Sequence, residues 1–218
     1  MNSTAKPHQN QEVLRAGRPL AEAQAAMILL HGRGASAYDI LELGILLCGD
    51  QFALLAPQAA NNTWYPYSFL APIDNNEPYL TSALQTVADL VNQVEAAGIP
   101  AGKIILAGFS QGACLASEFA AQNARRYGGL LLFSGGLIGP PGTPRDYPGS
   151  LDGTPVFIAC SDIDAHIPLA RVHETTETLT TLGANVNENI YPGMGHTIIQ
   201  DELDQAQKIV DAVLNDPD

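Results

Sequence analysis

Residues 108–112 read Gly-Phe-Ser-Gln-Gly, between a short apolar run at 104–107 and an Ala-rich helical pattern at 113–123. A serine at the tip of such a strand–turn–helix is lifted clear of its sheet, at the positive end of the following helix. There its hydroxyl can attack a carbonyl carbon. Gly108 and Gly112 suit the turn because a Cβ at either would collide with the neighbouring strand or helix. The N–H of Gln111 points to where negative charge would develop on the attacked oxygen.

A serine hydroxyl is a weak nucleophile at neutral pH, so Ser110 needs a base, and the base needs an orienting acid. In a turn of this kind the chain order is Ser, acid, His, which puts both partners after Ser110 and past strand ends. Three histidines follow: His166, His173 and His196. His173 falls inside a helical pattern and reads as a surface residue. His196 ends the glycine loop Tyr191-Pro192-Gly193-Met194-Gly195-His196 and is the candidate base. For the acid, the loop after the run at 155–160 offers Asp162 and Asp164, and spacing does not choose between them. The turn His31-Gly32-Arg33-Gly34 follows an early apolar run, which makes the Arg33 N–H the candidate second oxyanion donor beside that of Gln111.

The elements that must carry these residues alternate. Apolar runs at 25–30, 52–56, 104–107, 129–133 and 155–160, together with the segment 186–191, read as strands, the first buried on both faces. Helices are expected at 36–47, 79–97, 113–123, 169–182 and 197–214. In the first, Ser36 is the cap and Tyr38, Leu41, Ile45 and Cys48 form the inward face. Residues 12–20 include an antiparallel edge strand, and residues 1–10 read as a flexible N-terminal segment. Residues 11–218 then form one α/β domain, a mostly parallel central sheet flanked by helices on both faces. Ligands of such sheets gather at the carboxyl ends of the strands. Two long loops reach that edge. In 58–78, Trp64, Tyr65 and Tyr67 are candidate substrate-binding walls, with Phe69 and Leu70 further along. In 134–153, Leu137 and Ile138 are candidates for the groove floor.

The 218 residues carry 23 Asp and Glu against 10 Lys and Arg, a formal net charge of −13. A phosphate backbone would be repelled, so nucleic acid is not an expected partner. No apolar run reaches the roughly 18 residues of a membrane span. Cys48, Cys114 and Cys160 show no C-x-x-C spacing and read as free, buried thiols of a reducing, cytoplasmic protein. The histidines form neither H-x-x-x-H nor H-E-x-x-H, and no glycine loop ends in Gly-Lys-Ser/Thr, so no metal site or phosphate cradle is expected.

Four motifs together resemble the carboxylesterase, acyl-protein thioesterase and lysophospholipase family of small α/β-hydrolases: Leu30-His31-Gly32-x-Gly34, Gly108-Phe109-Ser110-Gln111-Gly112-Ala113, Asp164-x-x-Ile167-Pro168 and Tyr191-x-Gly193-x-Gly195-His196. The resemblance spans about residues 25–214 and implies an α/β-hydrolase fold without a large cap domain. It also implies a serine carboxylesterase acting on short- to medium-chain esters through an acyl-enzyme. Activity on thioesters or lysophospholipids is the alternative, and a non-catalytic ligand receptor on the same fold a distant one. It places the acid at Asp164, and implies no cofactor, a small-molecule ester substrate and a homodimer as a common assembly. Three departures stand out. Arg33-Gly34-Ala35 replaces an apolar residue and Gly-Asp, and puts a cation beside the pocket that could favour acids or electron-rich groups. Trp64-Tyr65-Pro66 lacks the Asp that often follows the Trp. His166 stands where an apolar residue is usual.

Overall fold

The computed structural model describes residues 6–215. Seven strands form one sheet: β1 (Val13–Gly17), β2 (Ala25–Leu30), β3 (Phe52–Pro57), β4 (Ile104–Phe109), β5 (Gly129–Phe133), β6 (Pro155–Ser161) and β7 (Asn185–Tyr191). Their order is β1-β3-β2-β4-β5-β6-β7, with β1 antiparallel to β3 and every other pair parallel. The apolar runs of β2 to β6 became strands because both their faces are covered, whereas β7 at the sheet edge is only partly buried. Along β2, Ala26, Ile28 and Leu30 join one apolar cluster while Ala25, Met27 and Leu29 join the other.

Five helices supply the cover. α2 (Tyr79–Ala96), α3 (Gln111–Gln122) and α4 (Leu169–Thr181) pack on one face. α1 (Ala37–Leu47) and α5 (Gln200–Asn215) pack on the other. Among the described residues no helical insertion caps the carboxyl edge of the sheet, and no helix is long and apolar enough to cross a membrane.

Two expectations are corrected here. Helix α1 begins at a Ser36–Asp39 capping box as expected. Its inward face, however, is Ala37, Ile40, Leu41, Gly44 and Leu47, whereas Tyr38 is 64% and Ile45 52% exposed. Gly44 sets this rotation. A Cβ there would lie 2.8 Å from a Leu29 methyl, so the helix approaches the sheet through its glycine. The second correction concerns residues 6–10 of the N-terminal segment expected to be flexible; residues 1–5 lie outside the described residues. His8 is buried. Its Nδ1 accepts from the Ala60 N–H at 3.1 Å, and its Nε2–H donates to the Trp64 carbonyl at 2.9 Å. The segment is pinned under the 58–78 loop because that loop's backbone groups need partners.

Candidate active site

The turn after β4 is as tight as its sequence implies. Ser110 has φ 54° and ψ −117°, a region rarely populated by residues with a side chain. A Cβ on Gly108 would stand 2.4 Å from the Gly112 carbonyl carbon, and one on Gly112 only 1.9 Å from the Leu30 carbonyl oxygen. Bonds from the Ser110 N–H to the Phe133 carbonyl (2.9 Å) and from the Cys114 N–H to the Ser110 carbonyl (3.0 Å) tie the turn down. Helix α3 then starts at Gln111, whose N–H is one of the unsatisfied donors of a helix N-terminus. Among the described residues neither this N–H nor that of Arg33 donates to another group, so both are free for an oxyanion.

The acid and base loops meet. His196 Nδ1 lies 2.7 Å from Asp164 Oδ2. The Asp164 side chain is fully buried, and its other oxygen accepts from the His166 and Ile167 N–H groups at 2.8 and 3.0 Å. Burial pushes this carboxyl up, but the bonds from His196, His166 and Ile167 outweigh it and hold the group below its usual value. Asp164 is therefore a carboxylate that accepts from an Nδ1–H, which makes Nε2 the nitrogen left to act as base in the neutral ring. Asp162, the other candidate acid, does different work. Its Oδ1 accepts from the Gly193 N–H at 2.8 Å and clips the acid loop to the histidine loop.

Ser110 and His196 line one cavity of about 410 Å³, and the imidazole packs on Phe109, the residue before the serine, at 4.8 Å between ring centroids. Among the described residues the two make no hydrogen bond to each other. Nucleophile–base bonds are commonly loose in unliganded sites and tighten around substrate. Tyr65, Tyr67, Phe69 and Ile167 supply apolar wall, and Arg33, Gln111, Cys114 and His166 complete the rim and floor. Burial pushes the Cys114 thiol up to about 12, so it contributes shape rather than a nucleophile.

Three of the expected substrate contacts are not there. Trp64 is fully buried behind the cavity, its Nε1–H donating to the His31 carbonyl at 2.9 Å and its ring between His8 and His31. Leu137 and Ile138 belong to the core. Their N–H groups donate to Thr175 Oγ1 and Glu118 Oε2, and their carbonyls accept from Arg171 and Arg145, which draws the loop onto α3 and α4 and turns both side chains inward. Sequence reasoning also missed the Gln111 side chain. Its Oε1 accepts from the Trp64 N–H at 2.9 Å and its Nε2 donates to the Tyr65 carbonyl at 2.9 Å, bolting the 58–78 aromatic loop to α3 and the sharp turn at 108–112 that precedes it, the elbow. A long loop needs such a bolt, and a glutamine directly after the serine was the available signal.

The sheet order, the strained serine turn and the convergence of loops at the carboxyl edge define an α/β-hydrolase. The chain belongs to the phospholipase/carboxylesterase family, whose sequence profile matches residues 11–214. It is similar to the solved phospholipase/carboxylesterase of Dyadobacter fermentans DSM 18053, at 44% identity, a TM-score of 0.89 and coverage of 97% of this chain and 100% of that one. It is also similar to acyl-protein thioesterase 1 of Eremothecium gossypii, 29% identical over 214 residues covering 88% of this chain and 89% of that protein. The Bacillus cereus carboxylesterase shares the fold, with a TM-score of 0.75 at 19% identity and coverage of 94% and 95%. Membership places the chain among hydrolases.

Proposed function

We propose that the protein is a serine carboxylesterase that hydrolyses short- to medium-chain carboxylic esters through an acyl-enzyme. Ser110 Oγ bonds to the ester carbonyl carbon while His196 Nε2 takes its proton. Asp164 holds the tautomer and stabilises the imidazolium. The N–H groups of Arg33 and Gln111 bind the oxyanion, an interaction typically worth about 3–4 kcal/mol per donor. The C–O bond to the alcohol then breaks, and the alcohol leaves with the proton held by His196. Water, deprotonated by His196, bonds to the acyl carbon; the C–Oγ bond then breaks, Ser110 Oγ takes the proton back from His196, and the acid leaves.

The observation that carries this reading is the 2.7 Å His196–Asp164 bond at the wall of the cavity that Ser110 enters from a left-handed turn. A cavity of about 410 Å³ has room for a short- to medium-chain ester. Unpaired Cys48, Cys114 and Cys160 support a reducing, cytoplasmic setting. The name of the Eremothecium relative favours a second reading, acyl thioester hydrolysis at the same site.

One experiment separates them. The protein is labelled with a fluorophosphonate, the adduct is mapped, and kcat/KM is measured on 4-nitrophenyl esters of rising acyl length beside matched acyl thioesters. The expected result is a single adduct on Ser110 and ester rates that peak at about four to eight carbons. Thioesters outpacing esters at every length would transfer the assignment to the second reading. Folded protein that takes no label and turns over nothing would refute both.

A further inference from the structure

The serine-esterase reading leaves two features of the cavity unused, the Arg33 side chain and His166. Arg33 enters from the loop after β2 and His166 from the loop after β6, strands on opposite sides of β4 and its serine. The Arg33 guanidinium donates from Nη1 to the Pro66 carbonyl at 2.8 Å and from Nη2 to the Tyr67 carbonyl at 2.6 Å, and lies 5.9 Å from the Tyr65 ring centroid. Those contacts hold the fork in place but are all to neutral groups. Among the described residues Arg33 forms no ion pair, and its remaining N–H groups stay available.

The charge around it runs against the composition. Acidic residues outnumber Lys and Arg 23 to 10 in the whole chain. Yet among the described residues no Asp or Glu lines the cavity, while Arg33 does. The nearest carboxylate in the machinery, Asp164, is buried behind His196 with its oxygens taken by four donors. An oriented, uncompensated guanidinium at the wall of a small cavity is a receptor for an anion. The helix N-terminus at this cavity, that of α3, faces the oxyanion position, so the backbone cradle that usually accompanies a phosphate is already committed. A planar carboxylate fits the remaining fork.

We infer that this protein selects esters bearing a carboxylate near the scissile bond, and that the Arg33 side chain is the group that selects them, with His166 as a second donor across the cavity. The inference rests on the serine-esterase reading and adds a substrate class to it. Because Arg33 also braces the loop at Pro66 and Tyr67 and donates its N–H to the oxyanion, absolute rates of its variants are not diagnostic. The ratio of kcat/KM between an anionic ester and its neutral isostere on the same enzyme is.

Two matched pairs are assayed. The 4-nitrophenyl monoester of adipic acid and its methyl-capped diester carry the charge on the acyl side. 4-Acetoxybenzoate and its methyl ester carry it on the leaving side. The wild type is expected to prefer the anionic member of at least one pair by about tenfold or more, a preference that shrinks as NaCl is raised from 20 to 500 mM. Arg33→Met should bring the ratio near one, and Arg33→Lys should retain part of it. Equal or lower rates for the anionic member of both pairs, or an unchanged ratio in Arg33→Met, would overturn the inference. In that outcome, neutral-ester turnover with label on Ser110 leaves the esterase reading standing. No turnover of any ester by folded protein would bring both down.

Discussion

His31 shows what a single side chain does for this site. Its Nδ1–H faces the Gly32 carbonyl at 2.8 Å and its Nε2 accepts from the Ala59 N–H at 3.1 Å, so the ring is neutral and its tautomer set. Burial pushes its titration below the usual histidine value, and burial does the same for His8. Each therefore resists a proton that the unfolded chain accepts below about pH 6.5, and folding stability falls as pH drops through that value. Glu202 has the opposite sign. It is buried, with Oε1 lacking a hydrogen-bond partner among the described residues, and burial raises its carboxyl to about 7. It binds its proton in the folded state while the unfolded chain releases it above about pH 4.5, so its contribution declines as pH rises from there toward 7. Urea midpoints recorded from pH 8 to pH 5 should separate the two. His8→Gln should flatten the acid-side loss and Glu202→Gln should steepen it, each by at most about 1.4 kcal/mol per pH unit. Identical slopes in all three proteins would contradict these assignments.

At the level of elements, the elbow and its helix depend on two close backbone approaches. Helix α3 lies so near β2 that the Gly112 position has no room for a methyl group beside the Leu30 carbonyl. Gly112→Ala should cost about 3 kcal/mol or more, or leave the protein insoluble, because the obstacle is backbone on both sides. Gly102→Ala is the control. It has open space around its Cβ position and no positive φ, and should change stability by no more than about 1 kcal/mol. A Gly112→Ala melting temperature within about 2 °C of wild type would refute the packing argument. The legibility of the elements follows from the same physics. Strands such as β2 and β5 matched their apolar runs residue for residue, because burial on both faces demands an unbroken apolar string. The α1 face was misread because a glycine, which carries no hydrophobic signal, is what allows that helix against the sheet. Trp64, Leu137 and Ile138 were misplaced for a related reason: an apolar side chain in a loop has no periodicity to say whether it faces the cavity or the core. Nothing in the polar composition of residues 6–10 announced that His8 would be buried, since its partners are backbone groups over 50 positions away.

At the scale of the whole molecule, the parallel strands β2 to β7 gather six separate loops at one edge, and polar side chains between loops keep them in register. Gln111 bolts the aromatic loop to the elbow, and Asp162 clips the acid loop to the histidine loop. A partly buried cluster of Glu118, Tyr147, Arg145, Glu174 and Arg171 holds the 134–153 loop against α3 and α4. The meeting of the loops that carry Ser110, Asp164 and His196 was legible because their chain order is a property of the fold, while the cavity walls were not, because they depend on how these polar ties orient each loop. The central claim is that Ser110 and His196, 86 positions apart, act as one unit. Its most direct test is the turnover number on 4-nitrophenyl butyrate for Ser110→Ala, His196→Ala and the double variant, with circular dichroism to establish that each is folded. The account predicts that either single change lowers turnover by about 10⁴-fold or more and that the double variant is no slower than the singles. A single variant within tenfold of wild type, or losses that multiply in the double, would contradict it.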